Sequence, residues 1–292
     1  MNMISETPLV SIVIPCYNHQ HFVKRCLDSV AAQTYQKLEV IIVDDCSSDE
    51  SVREIEQLIQ RDGWKTRFSD GTFFHKFTKN QGAHAAINYG ISQAHGKILA
   101  LLNSDDMYHP NRLKCIVNVM QSHRHEFVFS KVEYIDEHDR SITTSHPVAH
   151  RYFLIQKLIE QYPSVGFASL ISNVGISTGN FVFTKELFNR VGEFSSYRYC
   201  HDWDFLLRSL LYTEPFCMEQ DLYYYRFHGK NTFESLESIG DEESTKILTS
   251  ILSQLQSHKL SNLLAPSPLN WPSYFELFLY WFNLGRYLQS SG

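Results

Sequence analysis

Apolar and polar positions fall into alternating blocks along the first part of the chain. Residues 9–14 form a short, β-branched apolar run that stops at Pro15. From residue 19 to 33 the apolar positions Phe22, Val23, Cys26, Leu27 and Val30 recur at helical spacing, so the pattern predicts strand, loop, helix. The order returns with a strand over 38–43, a polar loop over 44–49 and a helix over 51–60. Further on, 82–94 reads as a helix and 98–102 as a buried strand, followed at once by Asn103-Ser104-Asp105-Asp106. Strands alternating with helices predict an α/β fold built on a parallel sheet with right-handed crossovers. Ligands of such sheets bind beyond the carboxyl ends of the strands, where these polar loops fall.

Beyond residue 112 the alternation breaks down. Residues 128–135 read as a strand, 179–183 as a shorter one, 202–211 as a helix and 222–227 as an aromatic strand in which Tyr223, Tyr224 and Tyr225 alternate in facing. No internal repeat occurs. After about residue 235 the chain becomes rich in Ser, Glu and Leu and predicts two helices, 241–258 and 272–289, separated by the breakers Ala265-Pro266-Ser267-Pro268. Wound at about 100° per residue, the second helix puts Glu276, Asn283, Arg286 and Ser290 in one arc of roughly 80°, with Trp271, Tyr274, Phe275, Phe278, Leu279, Phe282 and Leu288 over much of the rest. Such a helix is buried against something: its own domain, a second copy in a homodimer, or a bilayer as a peripheral contact. The bilayer is the weaker choice because the polar arc carries no Lys/Arg cluster.

Composition narrows the class. With 292 residues, 43% hydrophobic and 20% charged, and only 13 Gly and 9 Pro, the chain is neither disordered nor collagen-like. Lys plus Arg number 26 against 32 Asp plus Glu, a net charge of -6, which argues against a nucleic-acid partner. The six cysteines never form a C-x-x-C and read as scattered thiols of a reducing compartment. Residues 1–10 lack the basic and long apolar regions of a secretory signal, so the expected location is cytoplasmic, with the inner membrane face as an alternative for the tail. No stretch reaches the roughly 20 apolar residues of a membrane span, since the densest, 271–288, contains Glu276, Asn283 and Arg286.

The acidic pairs are the first candidate chemistry. Asp105 and Asp106 follow a buried strand, and adjacent carboxylates repel unless a cation or a hydrogen-bonding ligand compensates them. Mg²⁺ and Mn²⁺ prefer oxygen ligands and often bridge carboxylates to a diphosphate, so the pair is a candidate metal site. A second reading stays open, in which Asp106 caps the helix that Pro110 begins or both acids face water. Asp44 and Asp45 carry the same choice, because the run to Ser47, Ser48 and Asp49 also suits turn and N-cap chemistry.

Taken together, four segments carry a resemblance: Ser11-Ile12-Val13-Ile14-Pro15-Cys16-Tyr17-Asn18; Val43-Asp44-Asp45-Cys46-Ser47-Ser48-Asp49; Asn80-Gln81-Gly82 through Asn88-Tyr89-Gly90; and Leu101-Leu102-Asn103-Ser104-Asp105-Asp106 through Pro110. Their order and spacing resemble the GT-A family of inverting nucleotide-sugar glycosyltransferases (family 2 type), densely over about 8–112. The likeness continues more thinly through Gly179-Asn180, Gly192-Glu193-Phe194, His201-Asp202-Trp203-Asp204 and Tyr225-Arg226-Phe227-His228. The resemblance implies a GT-A fold over 1–234, with a nucleotide-binding half at about 8–112 and an acceptor-side half at about 113–234, and a helical appendage over 235–292. It further implies that Pro15, Tyr17, Asn18, Asp44, Asp45, Asn80, Asn103 and Ser104 line the nucleotide site. Asp105 and His228 would hold Mn²⁺ or Mg²⁺, and Asp202 would act as general base. The implied partners are a nucleotide-sugar donor, UDP-linked, and a glycan or lipid-linked acceptor for polysaccharide synthesis.

Three positions depart from the family pattern. Asn103 stands where the motif's first acid is usual, His201 where a Glu precedes the base, and Ile87 where many members carry an Arg. Asn103 keeps an acceptor oxygen but brings no charge. A catalytically degenerate relative that only binds nucleotide sugar or glycan is therefore the second reading. A dinucleotide-binding oxidoreductase is the third, disfavoured because no G-x-G-x-x-G follows the first strand. By residue type alone, Tyr17 also suits core packing, Asp202 a helix cap and His228 an ordinary surface role. Among the 14 histidines, those other than His228 show no metal-type spacing, and His123 and His125 fall at a polar helix end.

Overall fold

In the computed structural model, which describes residues 7–69, 71–229, 237–257 and 259–288, the apolar runs of the first half become strands because helices cover both of their faces. The elements in chain order are β1 (Val10–Cys16), α1 (Val23–Ala31), β2 (Leu38–Asp44), α2 (Ser51–Ile59), α3 (Asp62–Arg67), β3 (Thr72–Lys76), α4 (Ala83–Ser92), β4 (Ile98–Leu101), β5 (Met107–Tyr108), α5 (Arg112–His123) and β6 (Phe127–Ile135). They continue with α6 (Pro147–Lys157), α7 (Val165–Ile171), β7 (Val182–Thr184), α8 (Lys185–Val191), α9 (His201–Ser209), β8 (Phe216–Arg226), α10 (Glu237–Ser257) and α11 (Tyr274–Trp281). The strand expected at 179–183 begins as a 3-10 turn, Thr178–Asn180, and the one expected at 222–227 starts earlier, at Phe216.

Eight strands form one sheet in the order β3-β2-β1-β4-β7-β6-β8-β5. β1 pairs in parallel with β2 and β4, β2 with β3, and β6 with β8, whereas β7 runs antiparallel to both β4 and β6, and β5 to β8. The sheet is thus mainly parallel, as expected, with its antiparallel strands β5 and β7 falling where the strand-helix alternation breaks down. Two reversals through β7 restore the original direction, so β1, β2, β3, β4, β6 and β8 all end at one edge.

Successive side chains of a strand serve opposite faces. Val13, Ile41, Val43, Leu99 and Leu101 face the layer of α4, α7, α9 and α10, while Ile12, Ile14, Val40, Ile42 and Ala100 face α1, α2 and α5. Both tail helices join the first layer: Ile251, Leu252, Leu255, Phe275 and Phe278 belong to the same core cluster as Phe127, Phe167 and Phe205. Each such buried Phe contributes roughly 1.5–3 kcal/mol.

The last helix is shorter than its apolar pattern predicts. It ends at Trp281, where Asn283 adopts a left-handed backbone (φ 53) and a 3-10 turn, Leu284–Tyr287, follows. Arg286 consequently does not share a helical arc with Glu276. Phe275, Phe278 and Leu279 are buried on the chain's own core, and Leu277, Tyr280 and Trp281 remain exposed. The expected boundary at 234/235, residues 258 and 289–290, and the first residues of the chain lie outside the described residues. No described helix is long and apolar enough to cross a membrane. All six cysteines are free thiols.

Candidate active site

Loops from four strand ends meet at the common carboxyl edge. β1 delivers Tyr17, Asn18 and His19, and β2 ends on Asp44 with Asp45 next. After β4 the chain does not enter a helix directly. It crosses to β8, where Met107 pairs with Tyr224 and Tyr108 with Tyr223, which lays Asp105 beside His228 just past the end of β8. A cavity of about 480 Å³ lined by Leu9, Lys37, His95, Lys97 and His125 lies at the opposite, amino-terminal edge and takes no part.

The two acids after β4 divide their work. Asp106 is buried and turned inward, accepting hydrogen bonds from the Tyr223 hydroxyl (2.5 Å) and the Arg226 backbone N–H (2.7 Å). Burial and then the neighbouring Asp105 charge push its carboxyl well above the ordinary range. It is a tie between β5 and β8, neither a metal ligand nor a water-facing acid. Asp105 turns instead toward two histidines. Its Oδ2 lies 3.0 Å from His228 Nε2 and 3.7 Å from His19 Nε2. Burial alone would raise this carboxyl, but His19 and the His228 hydrogen bond outweigh it and hold it down at about 2. One oxygen and two ring nitrogens from Asp105, His19 and His228 all lie within 4.8 Å of one another. Such a donor set fits a divalent ion.

His228 is thus no ordinary surface residue, since Phe22 packs against it in a tilted pair with centroids 4.5 Å apart and its side chain is 6% exposed. The Arg226 guanidinium ties the loop in place by donating to the Asp105 and Asp136 carbonyls, both at 2.8 Å. His19 is the residue that spacing missed. Histidine-to-histidine spacing carries no signal for ligands drawn from β1 and β8. Its position directly after the Tyr17-Asn18 motif, at a strand's carboxyl end, is the signal that carries it.

At the end of β2 the division is similar. Asp45 gives both carboxylate oxygens to the backbone, Oδ1 to Gln81 N–H (2.7 Å) and Oδ2 to Gly82 N–H (2.8 Å), and Asn80 Nδ2 donates to its carbonyl (3.3 Å). Gly82 has φ 91, a conformation that suits glycine, and leads into α4. Asp44 is fully buried, its Oδ1 accepts Ser47 N–H at 2.8 Å, and its Oδ2 has no hydrogen-bond partner among the described residues. A buried carboxylate oxygen without a partner is costly, so a ligand N–H or O–H is the natural complement. Asn18, at φ 56, binds the same turn by accepting Ser48 N–H and donating its own N–H to Ser47 Oγ. Pro15 is half-buried within β1, and Tyr17 is 45% exposed, which takes its ring out of the core. Ile87 is fully buried in the core.

The turn Thr178–Asn180 links the loop after β4 to α9. Ser177 Oγ accepts from Asn103 Nδ2 (2.9 Å), and next to it Thr178 Oγ1 lies 3.1 Å from His201 Nε2. Gly179 is required there, because a Cβ would stand 2.1 Å from Tyr223 Oη and 2.7 Å from Asn103 N. Asp202 follows in the first turn of α9. Its Oδ2 accepts from Asn173 Nδ2 (2.9 Å) and its Oδ1 from Trp203 N–H (2.7 Å), without the reach two or three residues onward that an N-cap makes. Burial pushes the Asp202 carboxyl up to about 6 against those two bonds, and it pushes His201 down to about 4, leaving that imidazole neutral. The turn into α9 is held from the tail: Glu243 of α10 accepts the N–H groups of Arg198 (2.8 Å), Tyr199 and Cys200 (both 2.9 Å).

The family model described as Glycosyl transferase family 2 matches residues 11–199. The chain belongs to this family. An uncharacterized glycosyltransferase of Rickettsia typhi is 29% identical over 235 residues, which is 80% of this chain and 68% of that protein. The fold is that of the GT-A glycosyltransferases, and the helical tail is present. S. aureus TarS 1-349 in complex with UDP-GlcNAc superposes with a TM-score of 0.67 at 16% identity, covering 94% of this chain and 71% of that one. The mannosyltransferase PcManGT from Pyrobaculum calidifontis, in complex with GDP-Man and Mn²⁺, gives 0.63 at 16% identity, covering 98% and 76%. Some relatives are much longer: the chain spans 19% and 22% of two further Rickettsia proteins and 43% of a longer TarS chain.

Proposed function

We propose that this family 2 chain transfers a hexosyl or N-acetylhexosaminyl group, with inversion, from a UDP-sugar to a glycan or lipid-linked acceptor. The observation that carries the proposal is the meeting, at one sheet edge, of the Asp105, His19 and His228 donors with the unpartnered Asp44 Oδ2. The nucleotide sugars bound by TarS and PcManGT support a donor of this class.

In this reading Asp44 Oδ2 accepts a hydrogen bond from the base, and Tyr17 offers its exposed ring as a stacking surface beside Pro15 and Asn18. Asp45 acts by holding the Asn80-Gln81-Gly82 loop, while Asn103 and Ser104 line the ribose side. Asp105 and His228 would hold Mn²⁺ or Mg²⁺, which supplies positive charge for the leaving diphosphate. Asp202 takes the proton of the acceptor hydroxyl as its oxygen attacks the anomeric carbon from the face opposite the leaving UDP. A carboxylate at about 6 is ionised at neutral pH yet basic enough for that task.

Incubating the protein with a panel of nucleotide sugars in Mn²⁺ is expected to release UDP from one of them, and far more slowly in EDTA. The same donor should raise the melting temperature. A panel in which no donor is turned over contradicts the reading, and thermal stabilisation without turnover assigns the chain to binding alone.

A further inference from the structure

We infer that His19 is a third protein ligand of the divalent ion, so that the chain offers a face of two imidazoles and one carboxylate that favours a transition ion such as Mn²⁺ over Mg²⁺. The inference rests on the proposed metal-dependent transfer and adds to it a ligand and a selectivity.

The His19 ring is held on several sides. Its backbone N–H donates to Ser51 Oγ (2.8 Å) just past the left-handed Asn18, and its Nδ1 lies 2.8 Å from the hydroxyl of the buried Ser104. The ring packs edge-on against His228, centroids 5.8 Å apart. A polar contact on one ring nitrogen fixes tautomer and orientation and leaves the other for a metal, the arrangement usual around metal-bound histidines. Here the remaining nitrogen, Nε2, points at Asp105 Oδ2, the same oxygen that His228 Nε2 approaches.

The spacing suits the purpose. With bonds of about 2.1 Å, ligands at right angles around one ion sit roughly 3 Å apart. Donor atoms within 4.8 Å of one another therefore need only a small closure to share an ion. Asn103, whose amide is engaged by Ser177 Oγ at 2.9 Å, brings no charge to this face. Mg²⁺ seeks oxygen ligands and gives up its waters reluctantly, whereas imidazole nitrogens bind first-row transition ions more strongly. Two imidazoles out of three ligands thus tilt the site away from Mg²⁺.

Pulsed EPR on Mn²⁺ bound to the protein with UDP counts directly coupled nitrogens without reference to activity. The wild type is expected to show two, and His19→Ala and His228→Ala one each. Calorimetry should show a Mn²⁺ preference over Mg²⁺ in the wild type that shrinks about tenfold or more in His19→Ala. A wild type with a single coupled nitrogen, or a His19→Ala variant with unchanged count and preference, overturns the role of His19 while Asp105-dependent Mn²⁺ binding still upholds the metal reading. Wild-type UDP affinity that is equal in Mn²⁺ and EDTA overturns the metal reading itself. If His19→Ala does not fold, the wild-type nitrogen count still decides.

Discussion

Asp105 and Asp202 are the same side chain in two settings, one after β4 and one at the start of α9, and their surroundings drive them apart. Burial acts on both. At Asp105 the imidazoles of His19 and His228 overcome it, and the carboxyl falls to about 2. At Asp202 the partners are the Trp203 N–H and the Asn173 amide, both neutral, and burial prevails at about 6. His201, next in the chain, adds no charge, because its own burial holds it at about 4. An acid set among imidazoles stays anionic and suits a cation, whereas one set among neutral amides keeps its appetite for a proton near neutrality.

The largest effect breaks the comparison at the base. Asp202→Asn keeps the size and the Asn173-side geometry but accepts no proton, so kcat should fall by roughly 10²-fold or more while the melting temperature stays near wild type. A cap role predicts retained turnover, because Asn caps nearly as well as Asp.

The next effect sharpens it through pH. With donor and Mn²⁺ saturating, turnover should drop about tenfold per pH unit below about 6, as the ionised fraction of Asp202 declines. The stability effect runs the other way. A raised carboxyl binds protons more readily in the native state than in the unfolded one, so its contribution is fully present below the ordinary carboxylate range and is lost as pH rises through about 6. Melting curves of wild type and Asp202→Asn across that window should differ with this sign, and parallel curves would count against the shift.

Glu243 separates the two settings by a structural route. Glu243→Ala leaves the N–H groups of Arg198, Tyr199 and Cys200 without their acceptor, a loss of about 2 kcal/mol or more that chemical denaturation would measure. Turnover should fall with it, since the turn positions α9, while Mn²⁺ affinity should be unchanged. Weakened Mn²⁺ binding would show that the two settings are not independent. The smallest effect belongs to Asn103→Asp, which adds a negative charge near Asp105 and should tighten Mn²⁺ binding a few-fold by calorimetry, with activity kept or raised. Weaker binding would mean that the position is built for an amide.

Strands β1, β2 and β4 were legible because burial on both faces makes them nearly continuous apolar runs, and β6 because apolar residues flank its polar middle. β3 was not, since it is a half-exposed edge strand, and two-residue β5 owes its existence to pairing with β8. The tail helix was overextended because apolar periodicity runs on through Asn283 and Gly285, where the backbone turns. At the site, motif order pointed to Asp105, His228 and Asp202. It singled out Asp105 over Asp106 but did not separate Asp44 from Asp45, because those neighbouring carboxylates are told apart only by which backbone N–H groups reach them. Glu243 acts across the fold on partners supplied by another element, and local pattern holds no trace of such contacts; for His19 the one local signal is its place directly after Tyr17-Asn18.

In the proposed reaction, donor binding and proton removal fall to two different carboxylates, Asp105 and Asp202. UDP affinity in saturating Mn²⁺, measured side by side for Asp105→Ala and Asp202→Asn, tests it most directly. Asp105→Ala should fall to the affinity that the wild type shows in EDTA, while Asp202→Asn should keep wild-type affinity within about twofold. Equal losses in the two variants, or an Asp105→Ala protein that binds UDP as the wild type does in Mn²⁺, would contradict it.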